Sequence, residues 1–110
     1  MKFYTVEAPE VPNMVLGPGG VWEPIADETR EIKHFGAEDL ILIPGLAFDP
    51  NGMRVGSGKG VYDRFLAGSG KLAQKWGVAF SPQVTSTSLV REPHDIPMDA
   101  LVTEKGFIYF

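Results

Sequence analysis

The sequence predicts an α/β fold in which a mostly parallel sheet is flanked by helices. Two observations carry this prediction. Residues 40–43 form a short, continuous apolar run that ends at Pro44-Gly45, and a loop, a helix and further strands follow it. Such a run is typical of a strand covered on both faces in a parallel sheet. Parallel strands need crossover connections, and their ligands lie at the carboxyl ends of the strands.

The other elements follow from local patterns in chain order. Residues 2–7 alternate and predict a strand, whereas residues 9–24 are dense in Pro and Gly and predict a long loop. Residues 26–39 fit either a short surface helix or an irregular connection. Apolar side chains at helical spacing after residue 60 predict a helix of two to three turns. Residues 76–80 and 100–103 predict two more strands, and the apolar residues 107–110 are expected to dock.

Composition sets the class of protein. The 110 residues are 44% hydrophobic and 22% charged, which predicts one folded domain over residues 1–110. The net charge of −4 disfavours a nucleic-acid or membrane-surface partner. The first ten residues lack the apolar run of a signal peptide, and no segment has membrane-spanning length, so we expect a cytoplasmic protein.

The segment with the clearest chemistry precedes the predicted helix. Gly56, Gly58 and Gly60 alternate there, so the backbone can aim several N–H groups at one anion. Arg54 and Lys59 add fixed positive charge to this turn. The spacing matches neither a Walker A loop nor a dinucleotide fingerprint, and from the residues alone an anion-binding loop and a plain tight turn both remain open.

Acidic residues elsewhere leave their interpretation open. Asp63 fits a magnesium ligand or a charge favoured by the helix dipole, and Asp99, taken by itself, fits a solvated loop carboxylate ahead of a strand. His94 and Asp95 fit a general base with its orienting partner, but a turn in a Pro-rich loop is the favoured interpretation. Asp49 fits a ligand contact, although a turn with the residues that follow it is favoured.

Beyond these patterns, the chain resembles the 5-formyltetrahydrofolate cyclo-ligase family. The resemblance rests on Pro44-Gly45-Leu46-Ala47-Phe48-Asp49, then Gly52, Arg54, Gly56, Gly58, Lys59 and Gly60, then Tyr62-Asp63-Arg64 and Leu66. It extends to Phe3-Tyr4, Glu23-Pro24, His94-Asp95, Met98-Asp99 and Val102-Thr103-Glu104. Family membership implies a fold resembling the NagB/RpiA/CoA-transferase-like fold, here N-terminally shortened.

The resemblance also implies an activity and a set of site residues. The implied reaction is the ATP- and Mg²⁺-dependent cyclisation of 5-formyltetrahydrofolate, a reduced folate, to 5,10-methenyltetrahydrofolate with release of ADP and phosphate. Arg54 and Lys59 would be catalytic, and Asp63 and Asp99 would bind magnesium. The residues implied to wrap the ATP phosphates are Arg54, Val55, Gly56, Ser57, Gly58, Lys59, Gly60, Val61 and Tyr62.

Two departures from the family pattern leave a second interpretation of the function open. Family members ordinarily carry a further N-terminal portion that contacts ATP and folate, and Val61 stands where the family usually has Tyr, whose hydroxyl Val cannot replace. The alternative to an active ligase is therefore a non-catalytic nucleotide- or folate-binding or structural remnant of the same family. Because an uncovered apolar edge invites pairing, we also expect self-association or a complementing partner chain.

Overall fold

The computed structural model describes residues 1–5, 14–56, 60–89 and 92–110. These residues form two compact units, Met1–His34 and Phe35–Phe110. The single domain over residues 1–110 stays a prediction. No helix in the described ranges is long and apolar enough to cross a membrane.

The first unit consists of short antiparallel pairs. Strand β1 (Phe3–Tyr4) pairs with β4 (Glu31–Ile32), and β2 (Met14–Leu16) pairs with β3 (Trp22–Pro24). The predicted strand over residues 2–7 is confirmed only at residues 3–4, since residues 6–13 lie outside the described ranges. The long loop predicted for residues 9–24 is wrong over β2 and β3, because a Gly-rich turn allows those strands to pair.

The second unit contains a four-stranded mixed sheet with strand order β10-β9-β8-β5. Strand β5 (Leu40–Pro44) runs parallel to β8 (Gln74–Val78), which runs parallel to β9 (Ala100–Thr103). Strand β10 (Gly106–Tyr109) is antiparallel to β9, so the apolar end docks through its backbone. The predicted α/β fold is confirmed, with a mixed sheet in which the β5–β8 and β8–β9 pairs are parallel and the β9–β10 pair is antiparallel.

One face of this sheet forms the core. Ile43 and Leu101 are fully buried there, and Leu66 of helix α1 (Val61–Ala67) belongs to the same cluster. Phe48 is also fully buried, and a Cβ at Gly77 would lie only 2.5 Å from its ring. The absence of a side chain at Gly77 thus lets the Phe48 ring lie directly on the sheet.

The opposite face of the sheet is exposed. Alternation along the paired strands places Leu42, Trp76, Val78, Phe107 and Tyr109 on this face. Leu42 is 58% exposed and Tyr109 is 71% exposed. The expectation that β5 is covered on both faces is therefore wrong within the described residues, because its even-numbered side chains point away from the core.

Candidate functional site

The site begins where strand β5 ends. After Pro44 the chain turns at Gly45 and forms a short hairpin of β6 (Ala47–Phe48) and β7 (Arg54–Val55). The backbone N–H of Leu46 donates to the carbonyl of Val55 at 2.7 Å, which closes the hairpin against the end of the sheet. This hairpin carries Arg54 to the carboxyl end of β5, the edge at which the sheet topology predicted ligands.

The Arg54 side chain is buried in the wall of the site. Only 7% of it is exposed, and its Nη1 donates to the Pro44 carbonyl at 3.1 Å. A Cβ at Gly45 would lie 2.8 Å from the Arg54 Cγ, and one at Gly56 would lie 2.8 Å from its Nη1. These two glycines leave the space that the guanidinium occupies.

The guanidinium faces both an aromatic ring and a carboxylate. Its carbon lies 5.2 Å from the centre of the Tyr62 ring, and its Nη2 lies 3.8 Å from the Asp63 Oδ2. Its Nε is buried and has no hydrogen-bond partner among the described residues. A buried donor without a partner costs about 1–3 kcal/mol, so the fold holds this cation in place at an energetic cost.

Helix α1 brings Asp63 next to Arg54. The helix starts after Gly60, whose φ of +65° is in the left-handed region that favours glycine. Asp63 lies in its first turn and is partly buried. The Asp63 Oδ1 accepts a long hydrogen bond, 3.4 Å, from the Ile96 N–H. Asp63 therefore connects the helix to the segment that precedes β9.

These elements enclose an open cavity of about 870 Å³. Among the described residues that line it, Arg54 carries positive charge, Asp63, Glu92 and Asp95 are acidic, and His94 is also present. The remaining lining residues are Pro44, Gly45, Leu46, Val55, Gly56, Gly60, Val61 and Tyr62. A cavity with a guanidinium facing carboxylates suits a ligand that carries both phosphate groups and a bound cation.

Most of the site residues expected from the sequence meet at this cavity. The described members of the predicted phosphate segment all line it, namely Arg54, Val55, Gly56, Gly60, Val61 and Tyr62, together with Asp63. Ser57, Gly58 and Lys59 lie outside the described residues, so their expected phosphate contacts and the catalytic role of Lys59 stay predictions.

Asp99 lies elsewhere. Its Oδ2 accepts the Lys75 N–H at 2.9 Å, and its own N–H donates to the Lys75 carbonyl at 2.8 Å. These bonds place Asp99 at the amino ends of β8 and β9, whereas the cavity lies at the carboxyl end of β5. The structure therefore does not bring Asp99 together with Asp63, and the magnesium role expected for Asp99 stays a prediction.

The segment before β9 contributes acidic residues that sequence reasoning did not assign. The Glu92 N–H donates to the Asp95 Oδ2 at 2.8 Å, and the His94 Nε2 lies 3.7 Å from the Asp95 Oδ1. Locally this is the expected turn, but the same residues line the cavity. The Ile96–Asp63 hydrogen bond joins this segment to helix α1, and no local sequence pattern predicts that bond. The sequence signal for this segment was the His94-Asp95 pair itself. In the described part of the chain, no group of three or more His, Asp or Glu could hold a metal unaided.

The chain is similar to proteins of a known family. Residues 1–104 match the model of the 5-formyltetrahydrofolate cyclo-ligase family. A probable 5-formyltetrahydrofolate cyclo-ligase of Caenorhabditis elegans is 40% identical over 80 residues, which cover 68% of this chain and 38% of that protein. The 5-formyltetrahydrofolate cyclo-ligase of Saccharomyces cerevisiae is 36% identical over 101 residues, covering 86% of this chain and 47% of that protein.

A solved structure is similar as well. A 5,10-methenyltetrahydrofolate synthetase from Mycoplasma pneumoniae superposes with a TM-score of 0.54 and 30% identity, covering 74% of this chain and 46% of the other. The chain thus spans less than half the length of each of these relatives.

Proposed function

The chain belongs to the 5-formyltetrahydrofolate cyclo-ligase family, and from this premise we propose that it takes part in the ATP- and Mg²⁺-dependent closure of 5-formyltetrahydrofolate to 5,10-methenyltetrahydrofolate, with release of ADP and phosphate. One observation supports this proposal most strongly. Arg54 and Asp63 form a 3.8 Å ion pair in the wall of a cavity at the carboxyl end of β5, and Asp95 lines the same cavity. ATP would place its phosphates there, beside the reduced folate.

The chain's own residues would act on the nucleotide by binding and orientation. Arg54 would donate to phosphate oxygens from a position already fixed by Pro44 and the two adjacent glycines. Gly60 would leave the backbone at the start of α1 accessible to the same anion. Because phosphoryl transfer depends chiefly on positioning and charge neutralisation, this side of the cavity needs no protein nucleophile.

The acidic side of the cavity fits a magnesium ion. Mg²⁺ is commonly held by one or two carboxylates together with phosphate oxygens and water, and Asp63 and Asp95 supply two carboxylates on one cavity. When bound, the ion would supply neutralisation of the triphosphate charge. We therefore place Asp95 beside Asp63 as the candidate magnesium residue, in preference to Asp99.

The second candidate function is binding without turnover. Val61 lines the cavity with 37% of its surface exposed, and it cannot offer the hydroxyl that the family's usual Tyr would present. A chain that retains Arg54 and Asp63 but lacks this hydroxyl could hold a nucleotide or folate without closing the ring. A turnover assay on the chain separates the two functions.

Self-association or a complementing partner chain is also part of the proposal. Phe107 and Tyr109 stack on each other and contact Trp76 edge to face, yet Phe107 is 59% exposed and Tyr109 is 71% exposed. Contiguous apolar surface of this kind is typical of an interaction site. Sedimentation at increasing concentration tests this part of the proposal.

The decisive experiment is calorimetric titration with a slowly hydrolysed ATP analogue and magnesium, comparing Asp95→Asn with Asp99→Asn. We expect Asp95→Asn to weaken binding roughly tenfold, the usual effect of losing one charged ligand contact. Asp99→Asn should leave the affinity unchanged. Equal losses in the two variants would refute the placement of the metal, and no binding by the unmodified chain would refute the nucleotide site.

A further inference from the structure

A buried carboxylate, that of Asp49, is not among the residues that line the cavity. Asp49 is 1% exposed and is the one polar or charged residue among the buried residues of the described ranges. Its Oδ1 accepts the N–H groups of Asn51 at 2.8 Å and Met53 at 2.9 Å, and its Oδ2 accepts the N–H of Leu89 at 2.9 Å. The carboxylate is therefore held by three backbone donors.

The first two of these bonds fix the hairpin that carries the cation. They close the turn between β6 and β7 together with a backbone bond from the Asp49 N–H to the Met53 carbonyl at 3.0 Å. Met53 directly precedes Arg54 in the chain. A change in the Asp49 side chain would thus act on the residue next to the cavity's guanidinium.

The third bond reaches a different segment. Leu89 is 40 residues further along the chain and only three residues before Glu92, where the acidic part of the cavity begins. The same two segments are also joined by the Asn51 amide, which donates to the Ser88 hydroxyl at 3.0 Å, and by the Thr85 N–H, which donates to the Phe48 carbonyl at 2.8 Å. Of these bonds between the two segments, the one from the Leu89 N–H to the Asp49 Oδ2 is made by a buried carboxylate.

A turn alone does not require this charge. Burying a carboxylate is costly unless hydrogen bonds compensate it, and a neutral Asn or Ser can close a turn of this kind. Burial by itself raises the pKa of Asp49, but the N–H groups of Leu89, Met53 and Asn51 outweigh it and the net pKa is lowered. The ionised form is thus the one that the fold binds.

We infer that Asp49 is a positioning residue that holds the hairpin bearing Arg54 and the segment bearing Asp95 in a fixed relation across the cavity. One carboxylate with two oxygens can accept from both segments at once, which a hydroxyl cannot do in this geometry. The functional consequence rests on the proposed nucleotide and metal site, whereas the structural tie does not.

The test uses Asp49→Asn, which keeps the size of the side chain but turns one acceptor into a donor facing an N–H group. Leu101→Val serves as the control, because Leu101 is fully buried in β9 and takes part in none of the hydrogen bonds that Asp49 accepts. For each variant, amide hydrogen exchange at Ile96 reports the segment before β9, and titration with Mn²⁺ plus an ATP analogue reports the cavity.

We expect Asp49→Asn to raise the exchange rate at Ile96 and lower the Mn²⁺–nucleotide affinity, each by roughly tenfold, beyond what Leu101→Val causes at an equal loss of melting temperature. Equal effects in the two variants would show that Asp49 is only structural and overturn the inference. If Asp49→Asn does not fold, Leu89→Pro removes the N–H that donates to the Asp49 Oδ2 from the second segment and must give the same two changes. If the unmodified chain binds no nucleotide, the proposed function fails, but the exchange at Ile96 still decides whether the tie exists.

Discussion

Replacing Arg54 by Met separates the role of this residue in binding from its role in folding. The substitution removes the charge and keeps a long side chain in the space beside Gly45 and Gly56. In the folded protein it deletes a hydrogen bond to the Pro44 carbonyl, a long ion pair to Asp63 and a cation–π contact with Tyr62, each worth about 1 kcal/mol or less. It also removes the buried Nε–H without a partner, which regains about 1–3 kcal/mol.

These changes in folding free energy nearly cancel. A net effect of about 1 kcal/mol corresponds to a shift of roughly 4–8 °C in the melting temperature of a domain this size. In binding there is no such cancellation, because Met offers a phosphate nothing in exchange for charge-assisted donors worth about 1.5–3 kcal/mol. The affinity for an ATP analogue with magnesium should therefore fall by roughly 10- to 100-fold.

Thermal melting and calorimetric titration on the same samples measure both effects. Arg30→Met is the matched control, since the Arg30 side chain lies in the first unit, is exposed and forms a 3.8 Å ion pair with the exposed Asp27. It should change neither quantity appreciably. An unchanged nucleotide affinity in Arg54→Met, or a loss of melting temperature above about 15 °C, would refute the account of Arg54 as a preformed phosphate ligand.

Three further predictions concern backbone strain, acid stability and the exposed face. Gly60→Ala should lower stability by about 1–2 kcal/mol in chemical denaturation because φ at Gly60 is +65°, whereas Gly36→Ala, which has open space around it, should change little. Folding lowers the pKa of Asp49, so the ionised carboxylate adds to the free energy of unfolding above the ordinary Asp pKa, and this stabilisation is lost as the pH falls through the lower folded value. In Asp49→Asn the melting temperature should therefore fall less steeply between about pH 5 and 2 than in the unmodified protein. An equally steep fall in both proteins would contradict this prediction. The double change Phe107→Ser and Tyr109→Ser should lower the sedimentation coefficient at high concentration if the exposed face mediates self-association, and an unaltered coefficient would rule that face out.

Local patterns were sufficient for the elements that the sheet is built from. The apolar run of β5, the helical spacing of α1 and the strand at residues 100–103 are encoded within a few residues each, and all three are confirmed. The pairing of β2 with β3 was missed because the stretch that joins them is rich in Pro and Gly, and the pairing depends on glycines at positive φ rather than on periodicity.

Only part of the candidate site could be predicted from the sequence, because some of its residues are brought together by tertiary contacts. Arg54 and Asp63 are close in sequence, so the Gly-rich segment predicts both of them together. The family resemblance assigns Asp99 to the metal, whereas the local pattern indicates for Asp95 only a partner of His94 or a turn residue. Asp95 lines the cavity, whereas the Asp99 carboxylate accepts the Lys75 N–H at the start of β8, and no local pattern distinguishes these two positions. The fold thus puts Asp95 on the same cavity as Asp63, whereas Asp99 lies at the amino ends of β8 and β9.

The arrangement of the sheet has a consequence for the order of folding. Strands β9 and β10 are joined by a two-residue turn between Thr103 and Gly106, and such hairpins form within about 1–10 μs. The parallel pairing of β5 with β8 must instead close a loop that contains a hairpin and a helix, which is intrinsically slower. We therefore expect the aromatic side chains of β10 to be exposed to solvent during refolding until β8 pairs with β9 and brings Trp76 into contact with them. Dilute protein and rapid removal of denaturant should favour the native sheet over intermolecular pairing at this stage.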